Sequence, residues 1–249
     1  MGRGSTSGKG LGMRKVGTSG LSAADTAMGL IRERIADNEF PPNSRLPRET
    51  ELAASLGVSR NALREAIRAL GLVGVLESKH GSGTFVTSLE PRDLLRGLDY
   101  SNSLLSFDSA IALAEFRRVT EPAACAMACE RSTPQQRTGI RDLLDAMQQV
   151  NDPTEYARLD PQFHQAIVEA SGNSVLIAVS SALTHGSGWI KMWHAVTSDV
   201  IPERTRQEHR YLVTAIETGD RELALAIANA HIAKTQSVIT RAFTAGEGR

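Results

Sequence analysis

The sequence predicts a mainly α protein in two unequal parts: a small helical head carrying a β-ribbon, then a larger all-helical bundle. Three observations predict it. In residues 45–86, RLPRETELAASLGVSRNALREAIRALGLVGVLESKHGSGTFV, two short helical stretches meet at Gly57-Val58, and two strand-like runs follow around a glycine-rich tip. From Phe107 onward apolar residues recur at helical spacing, with no alternating pattern between them. Aromatic residues make up only 4% of the 249-residue chain against 41% hydrophobic. Aliphatic side chains must therefore fill the core, which suits helices better than a β-sandwich.

Residues 1–20 are Gly/Ser-rich and basic and read as a disordered tail. Met28, Ile31 and Ile35 form a helical stripe over 23–36, which Phe40-Pro41-Pro42 ends. Helices over 50–56 and 61–70 come next, then strand-like runs at 73–77 and 84–87 about the His80–Gly83 turn. The polar stretch 89–106 reads as a linker with room for a short helix. Six helices follow, at 108–131, 134–150, 153–171, 174–196, 202–218 and 220–243. Pro134, Pro153 and Pro202 each stand at a helix start, and Gly219-Asp220 reads as a stop followed by a cap. The expected division is a tail to 20, a head over 21–88, the linker 89–106, a bundle over 107–243 and a short tail 244–249.

Net charge is zero, but its distribution is not even. Residues 1–90 hold 12 Lys+Arg against 9 Asp+Glu, and the remainder hold 16 against 19. A basic front on an acidic rear fits a DNA-reading head tethered to a different module. Cys125 and Cys129, four apart in an alanine-rich helical stretch, read as small core residues, not as a disulfide framework. No stretch approaches the length of a membrane span, and the basic N-terminus lacks the apolar run of a secretory signal, so a cytoplasmic location is expected.

Two helices, a tight turn and a ribbon make a winged helix-turn-helix, which sets one helix in the DNA major groove and the hairpin beside it. Asn61–Leu70 is the expected recognition helix, capped by Ser59. Leu63, Ile67 and Leu70 share one face, leaving Arg60, Asn61, Arg64 and Arg68 on the others. Ser59, Arg60, Asn61 and Arg64 belong to the first turns and are the expected DNA contacts. Arginine forks onto guanine and asparagine onto adenine. His80 and Gly81 stand at the wing tip, where they suit the minor groove or a phosphate. Each of these residues taken alone would pass for an ordinary solvated surface residue.

Together the motifs Leu46-Pro47, Glu49, Glu51-Leu52-Ala53, Gly57-Val58-Ser59-Arg60, Leu63-Arg64-Glu65-Ala66, Leu70 and Gly81-Ser82-Gly83-Thr84-Phe85-Val86 resemble the GntR superfamily of bacterial regulators over about residues 22–87. The resemblance implies a DNA-binding head. Thr50 stands where the family usually has a DNA-contacting arginine, and Arg48 is the expected substitute. Asn38 and Asn43 stand where the family favours glycine; asparagine is the side chain that best tolerates a left-handed backbone there.

In the bundle, Asp160 and His164 are four apart on one helix face, and His209 and His231 come from two later helices. An Asp and three imidazoles suit a divalent ion (zinc, nickel or manganese) and leave coordination positions open. Spacing alone leaves both a metal centre and an ordinary scatter of helical histidines open. Residues 108–243 also resemble the FadR-like (FCD) ligand-binding domain, through Glu115-Phe116-Arg117, Glu121-Pro122-Ala123-Ala124, Asp160-Pro161-Gln162-Phe163-His164, Glu208-His209-Arg210 and Ala230-His231. That resemblance implies that Asp160, His164, His209 and His231 hold a metal, zinc first among the choices. Pro161, which lacks an N–H, leads us to expect a kink or helix restart there.

The same resemblance gives Arg117 the role of gripping an effector carboxylate, for which a planar guanidinium is suited; the other reading is a salt bridge to Glu121. Trp193 is a further effector candidate, with core packing as its alternative. Asn173, Arg210 and Gln236 are candidates for effector hydroxyls. The pattern is closest to regulators of sugar-acid and hydroxy-acid catabolism, galactonate-type.

The function expected is thus a homodimeric transcription factor, a repressor on a palindromic double-stranded operator, controlled by a small carboxylic acid at a metal-containing site. It is not expected to be an enzyme or to enter a membrane. Two alternatives stand beside it: a helical metal-dependent hydrolase or lyase, and a metal-responsive DNA binder without an organic effector.

Overall fold

The computed structural model describes residues 21–97, 107–184 and 203–246. The head begins with α1 (Ala23–Ala36), opened by a capping box. The Ser22 hydroxyl accepts the Asp25 N–H, and the Asp25 carboxylate accepts the Ser22 N–H, each at 3.0 Å. Asn38 and Asn43 adopt φ of 60° and 64°, the left-handed conformation expected of them. Helix α2 (Glu49–Leu56) ends at Gly57, whose φ of 67° lets its N–H and that of Val58 close on the carbonyls of Ala54 and Ala53. Helix α3 (Arg60–Leu72) starts when Ser59 caps the Ala62 N–H, and it buries Ala62, Leu63, Ala66, Ile67 and Leu70.

The ribbon starts later than the apolar run suggested. The run Val73-Gly74-Val75 was expected to open a strand, but it closes α3. Gly74 takes φ 73°, and the Val75 N–H reaches the Leu70 carbonyl at 2.9 Å. Strand β1 (Leu76–Lys79) then pairs antiparallel with β2 (Gly83–Val86), with Leu76 opposite Val86 and Lys79 opposite Gly83. Arg45 adds a bridge to Phe85 on the other side of β2. One apolar core joins Ile31, Phe40, Leu46, Leu52, Leu63, Ile67, Leu70, Leu76 and Val86. Each such side chain, fully buried, contributes roughly 1.5–3 kcal/mol, so the wing base and the recognition helix are held by common packing.

A short helix, α4 (Pro91–Leu94), follows. The Ser88 hydroxyl donates to the Asp93 carboxylate at 2.5 Å, and Thr87 donates to the Gly74 carbonyl at 2.7 Å. The Asp93 carbonyl lies 1.7 Å from where a Cβ on Gly74 would be, so only glycine permits α4 to sit against the end of α3. Leu89, between them, is held at φ 57°, which is unusual for a leucine.

The bundle comprises α5 (Phe107–Arg131), α6 (Pro134–Gln149), α7 (Pro153–Ala170), α8 (Ser174–Thr184), α9 (Glu203–Thr218) and α10 (Arg221–Gly246). Helix α10 lies along α5, and α4 lies beside α8. Thr133, Asp152 and Asn173 cap α6, α7 and α8 with their side chains. The core runs through Ile140, Leu144, Met147, Tyr156, Phe163, Ile167, Leu212 and Ile216.

Two expectations are corrected. Of the kink or restart expected at Pro161, the restart does not occur: α7 runs through it as one helix, with Leu159, Phe163 and Ile167 on its two sides in one core. The last helix, expected over 220–243, runs on to Gly246 as α10. The expected helix 174–196 is described only to Thr184. Among the described residues no helix is long and apolar enough to cross a membrane.

Candidate functional site

In the head, Arg48, Ser59, Arg60, Asn61, Arg64, His80 and Gly81 are all exposed. Arg48 stands at the N-terminal boundary of α2 and makes no capping bond. Arg60 and Asn61 are the first two residues of α3, next to the Ser59 cap. Arg64 is already engaged: its Nε donates to the Glu49 carboxylate at 2.7 Å, across from α2. Both partners are about half exposed, and such pairs contribute no more than about 1 kcal/mol, so a phosphate or guanine can compete for the guanidinium. At the wing tip the Ser82 N–H closes a turn on the Lys79 carbonyl, with Gly81 at φ 72° in the third position. Arg45 was not among the expected contacts. Its guanidinium lies over Gly83, where an added Cβ would stand 2.9 Å from Nε.

In the bundle, α7 supplies Asp160 and His164, α9 supplies His209 and α10 supplies His231. All four are buried, His209 completely. One nitrogen from each of the three rings lies within 4.8 Å of the others. The Nε2 atoms of His209 and His231 are 3.3 Å apart, and Asp160 Oδ1 lies 3.6 Å from His209 Nε2 and 3.9 Å from His164 Nε2. The opposite ring nitrogens face outward to separate partners. His164 Nδ1 meets Glu121 Oε2 at 3.2 Å, His209 Nδ1 meets the Tyr156 hydroxyl at 3.1 Å, and His231 Nδ1 meets Glu208 Oε2 at 2.9 Å.

This arrangement suits a cation. In the tautomer with the proton on Nδ1, each ring donates outward and presents an Nε2 lone pair inward. Two lone pairs then face each other at 3.3 Å, about the edge expected between two nitrogens bound tetrahedrally at about 2.0–2.1 Å. Asp160 Oδ1 and His164 Nε2 are buried without a hydrogen-bond partner, and buried polar atoms are seldom left so. Burial, with neighbouring His231 and His164, holds His209 well below the usual imidazole range; burial also lowers His231 despite its bond to Glu208. Both shifts favour the neutral imidazole, the form that can bind a cation. The three histidines could hold a metal ion, and Asp160 Oδ1 lies beside them.

Sequence reasoning missed the residues behind the imidazoles. Tyr156 lies under the guanidinium of Arg206, 5.2 Å from the ring, and Arg206 itself donates to the Met147 and Val150 carbonyls at the end of α6. Glu208 accepts from His231 and from Arg204, which hold its carboxyl down at about 2. Its position next to His209 in sequence was the one available signal, but a neighbour in a helix points to another face.

The expected effector residues are not gathered at one place. Arg117 takes its alternative role: its Nε and Nη2 both donate to the Glu121 carboxylate, one turn along α5. Asn173 uses its side-chain oxygen to cap α8. Arg210 is tied to Gln148, Gln207 and Glu203 where α6 and α9 meet, and Gln236 accepts from Arg118. Trp193 lies outside the described residues. Beside His164, a small cavity with room for about one water molecule is lined by Arg117, Glu121, Pro161, His164, Gln165, Val168 and Ser180.

Two family models match the chain. One, described as bacterial regulatory proteins of the gntR family, covers residues 23–86; the other, the FCD domain, covers residues 112–234. The HTH-type transcriptional regulator Mce2R of Mycobacterium tuberculosis is 30% identical over 194 residues, which are 76% of this chain and 80% of that protein. The galactonate operon transcriptional repressor of Escherichia coli is 29% identical over 218 residues, 82% of this chain and 91% of the repressor. A solved GntR structure from Streptococcus agalactiae shares the fold, with a TM-score of 0.63 and 23% identity, covering 86% of this chain and 99% of its own. The chain is therefore a transcriptional regulator of the gntR family, with a winged helix-turn-helix head and an FCD domain behind it.

Proposed function

We propose that this regulator is a repressor whose hold on DNA is set by a small carboxylic acid and a divalent metal in the helical domain. The observation that carries the reading is the pair of orphaned buried atoms, Asp160 Oδ1 and His164 Nε2, beside two facing imidazole nitrogens. Asp160, His164, His209 and His231 would hold the ion. A bound zinc would supply Lewis acidity toward a carboxylate oxygen, with nickel or manganese as the other choices. Arg117, which lines the cavity beside His164, is the cationic side chain assigned to the acid, after exchange of its partner Glu121. Similarity to a galactonate operon repressor supports a sugar acid or hydroxy acid as effector.

Arg48, Ser59, Arg60, Asn61, Arg64, His80 and Gly81 are assigned to DNA. The head is taken as 21–88, joined through 89–106 to the bundle 107–243. A cytoplasmic homodimer would present two recognition helices to a palindromic operator. The effector acts by binding the DNA-competent and incompetent arrangements unequally. One observation favours a second reading, a metal sensor without an organic effector: among the described residues, the cavity beside His164 has room for about one water molecule.

The test begins by selecting the operator from a random DNA pool. The metal-defined protein is then titrated with that DNA in the presence of sugar acids and hydroxy acids. Release of the operator by one acid, dependent on metal, supports the first reading. Release by metal addition or removal with no response to any acid supports the second. A protein that carries no metal at the four-residue set would sink both.

A further inference from the structure

Arg117, Glu121 and His164 form a connected line of buried contacts. Arg117 and Glu121 are each 4% exposed. Arg117 Nε donates to Glu121 Oε1, and Nη2 donates to Oε2 at 3.2 Å; His164 Nδ1, arriving from α7, takes the same Oε2 at 3.2 Å. One carboxylate thus receives a guanidinium fork from its own helix and an imidazole from another. The Arg117–Glu121 pair is buried, with almost no solvent to share its charge.

The geometry points to a positioning relay. We propose that Arg117 locks Glu121, and that Glu121 in turn locks the His164 tautomer which aims Nε2 at the cation site. The proposal rests on the metal reading above and deepens it. The neighbouring arrangement at His231 provides the contrast. Glu208 supports that ring in the same way, but its own arginine, Arg204, has a side chain 67% exposed, against 5% for Arg117. Water and salt screen the Arg204 pair and leave the Arg117 pair at nearly full strength. His164 is therefore the ring whose orientation depends most on a fixed internal charge.

The test uses the full chain with zinc or cobalt(II) alone. Zinc affinity is measured by competition with a chelator, and the cobalt-loaded visible spectrum reports ligand orientation directly. Glu121→Gln should lower zinc affinity by about ten- to hundred-fold, as loss of such outer partners commonly does, and should shift the cobalt bands. Because Gln leaves the Arg117 charge buried without its counter-ion, the double variant Arg117→Met/Glu121→Gln removes both charges and preserves volume. It should show the same loss with an unchanged far-UV circular dichroism spectrum. A merely structural ion pair would change the melting temperature while leaving the cobalt spectrum as it was. Unchanged zinc affinity and cobalt spectrum in the folded double variant would overturn the relay. Absence of zinc binding in the parent protein would instead overturn the metal reading itself.

Discussion

His209 and His231 stand 22 residues apart on different helices, yet their Nε2 atoms face each other at 3.3 Å inside the bundle. Their outer nitrogens are taken by Tyr156 and Glu208, so both rings are held with their free lone pairs toward one point. His209→Ala should therefore strip the metal rather than merely weaken it, with metal content measured after dialysis. The head should remain folded, since none of its core residues lies in the bundle. A variant that kept a full equivalent of metal would remove His209 from the ligand set.

Metal removal should also be visible as lost stability. A ligand that binds only the folded state contributes about 2.7 kcal/mol at a hundred times its dissociation constant. Chelator treatment should lower the melting temperature of the parent, and should leave that of His209→Ala where it was. Equal shifts in the two proteins would mean that the chelator acts elsewhere.

Arg64 tests the DNA face. Its pair with Glu49 is exposed and of the order of 1 kcal/mol or less, whereas a guanidinium reading a base edge is worth about 1–3 kcal/mol. Arg64→Ala should weaken the selected operator by that larger amount, measured by a mobility shift at fixed salt. Glu49→Gln, which frees Arg64, should leave affinity equal or slightly raised. Undiminished binding by Arg64→Ala would exclude a base contact.

Gly74→Ala tests the junction between head and linker. The new Cβ would meet the Asp93 carbonyl, and alanine at φ 73° adds about 1–2 kcal/mol of backbone cost. The head should lose at least that much stability to denaturant, and amide exchange at Asp93, Leu94 and Leu95, whose N–H groups close the α4 turn, should accelerate as α4 is pushed away. Protection of α4 at the parent level would show that the contact is dispensable.

The cysteines should differ in reactivity. Burial pushes the Cys125 thiol far up, and it raises Cys129 as well, although Cys129 is only half-buried and donates to the Ala215 carbonyl at 3.6 Å. A thiol reagent at pH 8 should label Cys129 slowly and Cys125 only after unfolding. Rapid labelling of both in the native protein would contradict the packing of α5.

Much of the fold was legible because it follows from local rules. Ser59 caps α3, Pro134 and Pro153 open α6 and α7, and Asn38 and Asn43 turn left-handed where glycine would otherwise serve, all as their residue types indicate. Local rules failed where one segment could satisfy two of them. Val73-Gly74-Val75 has the composition of a strand, but Gly74 offered α3 a left-handed stop and the helix took it. Pro161 suggested a kink or restart; the restart did not occur, because apolar residues on both sides of it pack into one core, which outweighs the loss of one backbone hydrogen bond.

The candidate site divides in the same way. The sequence by itself determined the residue types of the centre, because Asp160 and His164 share a face at i, i+4 and the motifs around His209 and His231 resemble a known family. Tertiary structure decided everything that depends on which side of a helix meets which neighbour. It turned Arg117 toward Glu121, spent Asn173 and Arg210 on helix ends and contacts, and set Tyr156, Glu121 and Glu208 behind the three imidazoles. Spacing along one helix fixes a face, but the partner of a buried charge is fixed by packing between helices, and no single segment encodes it.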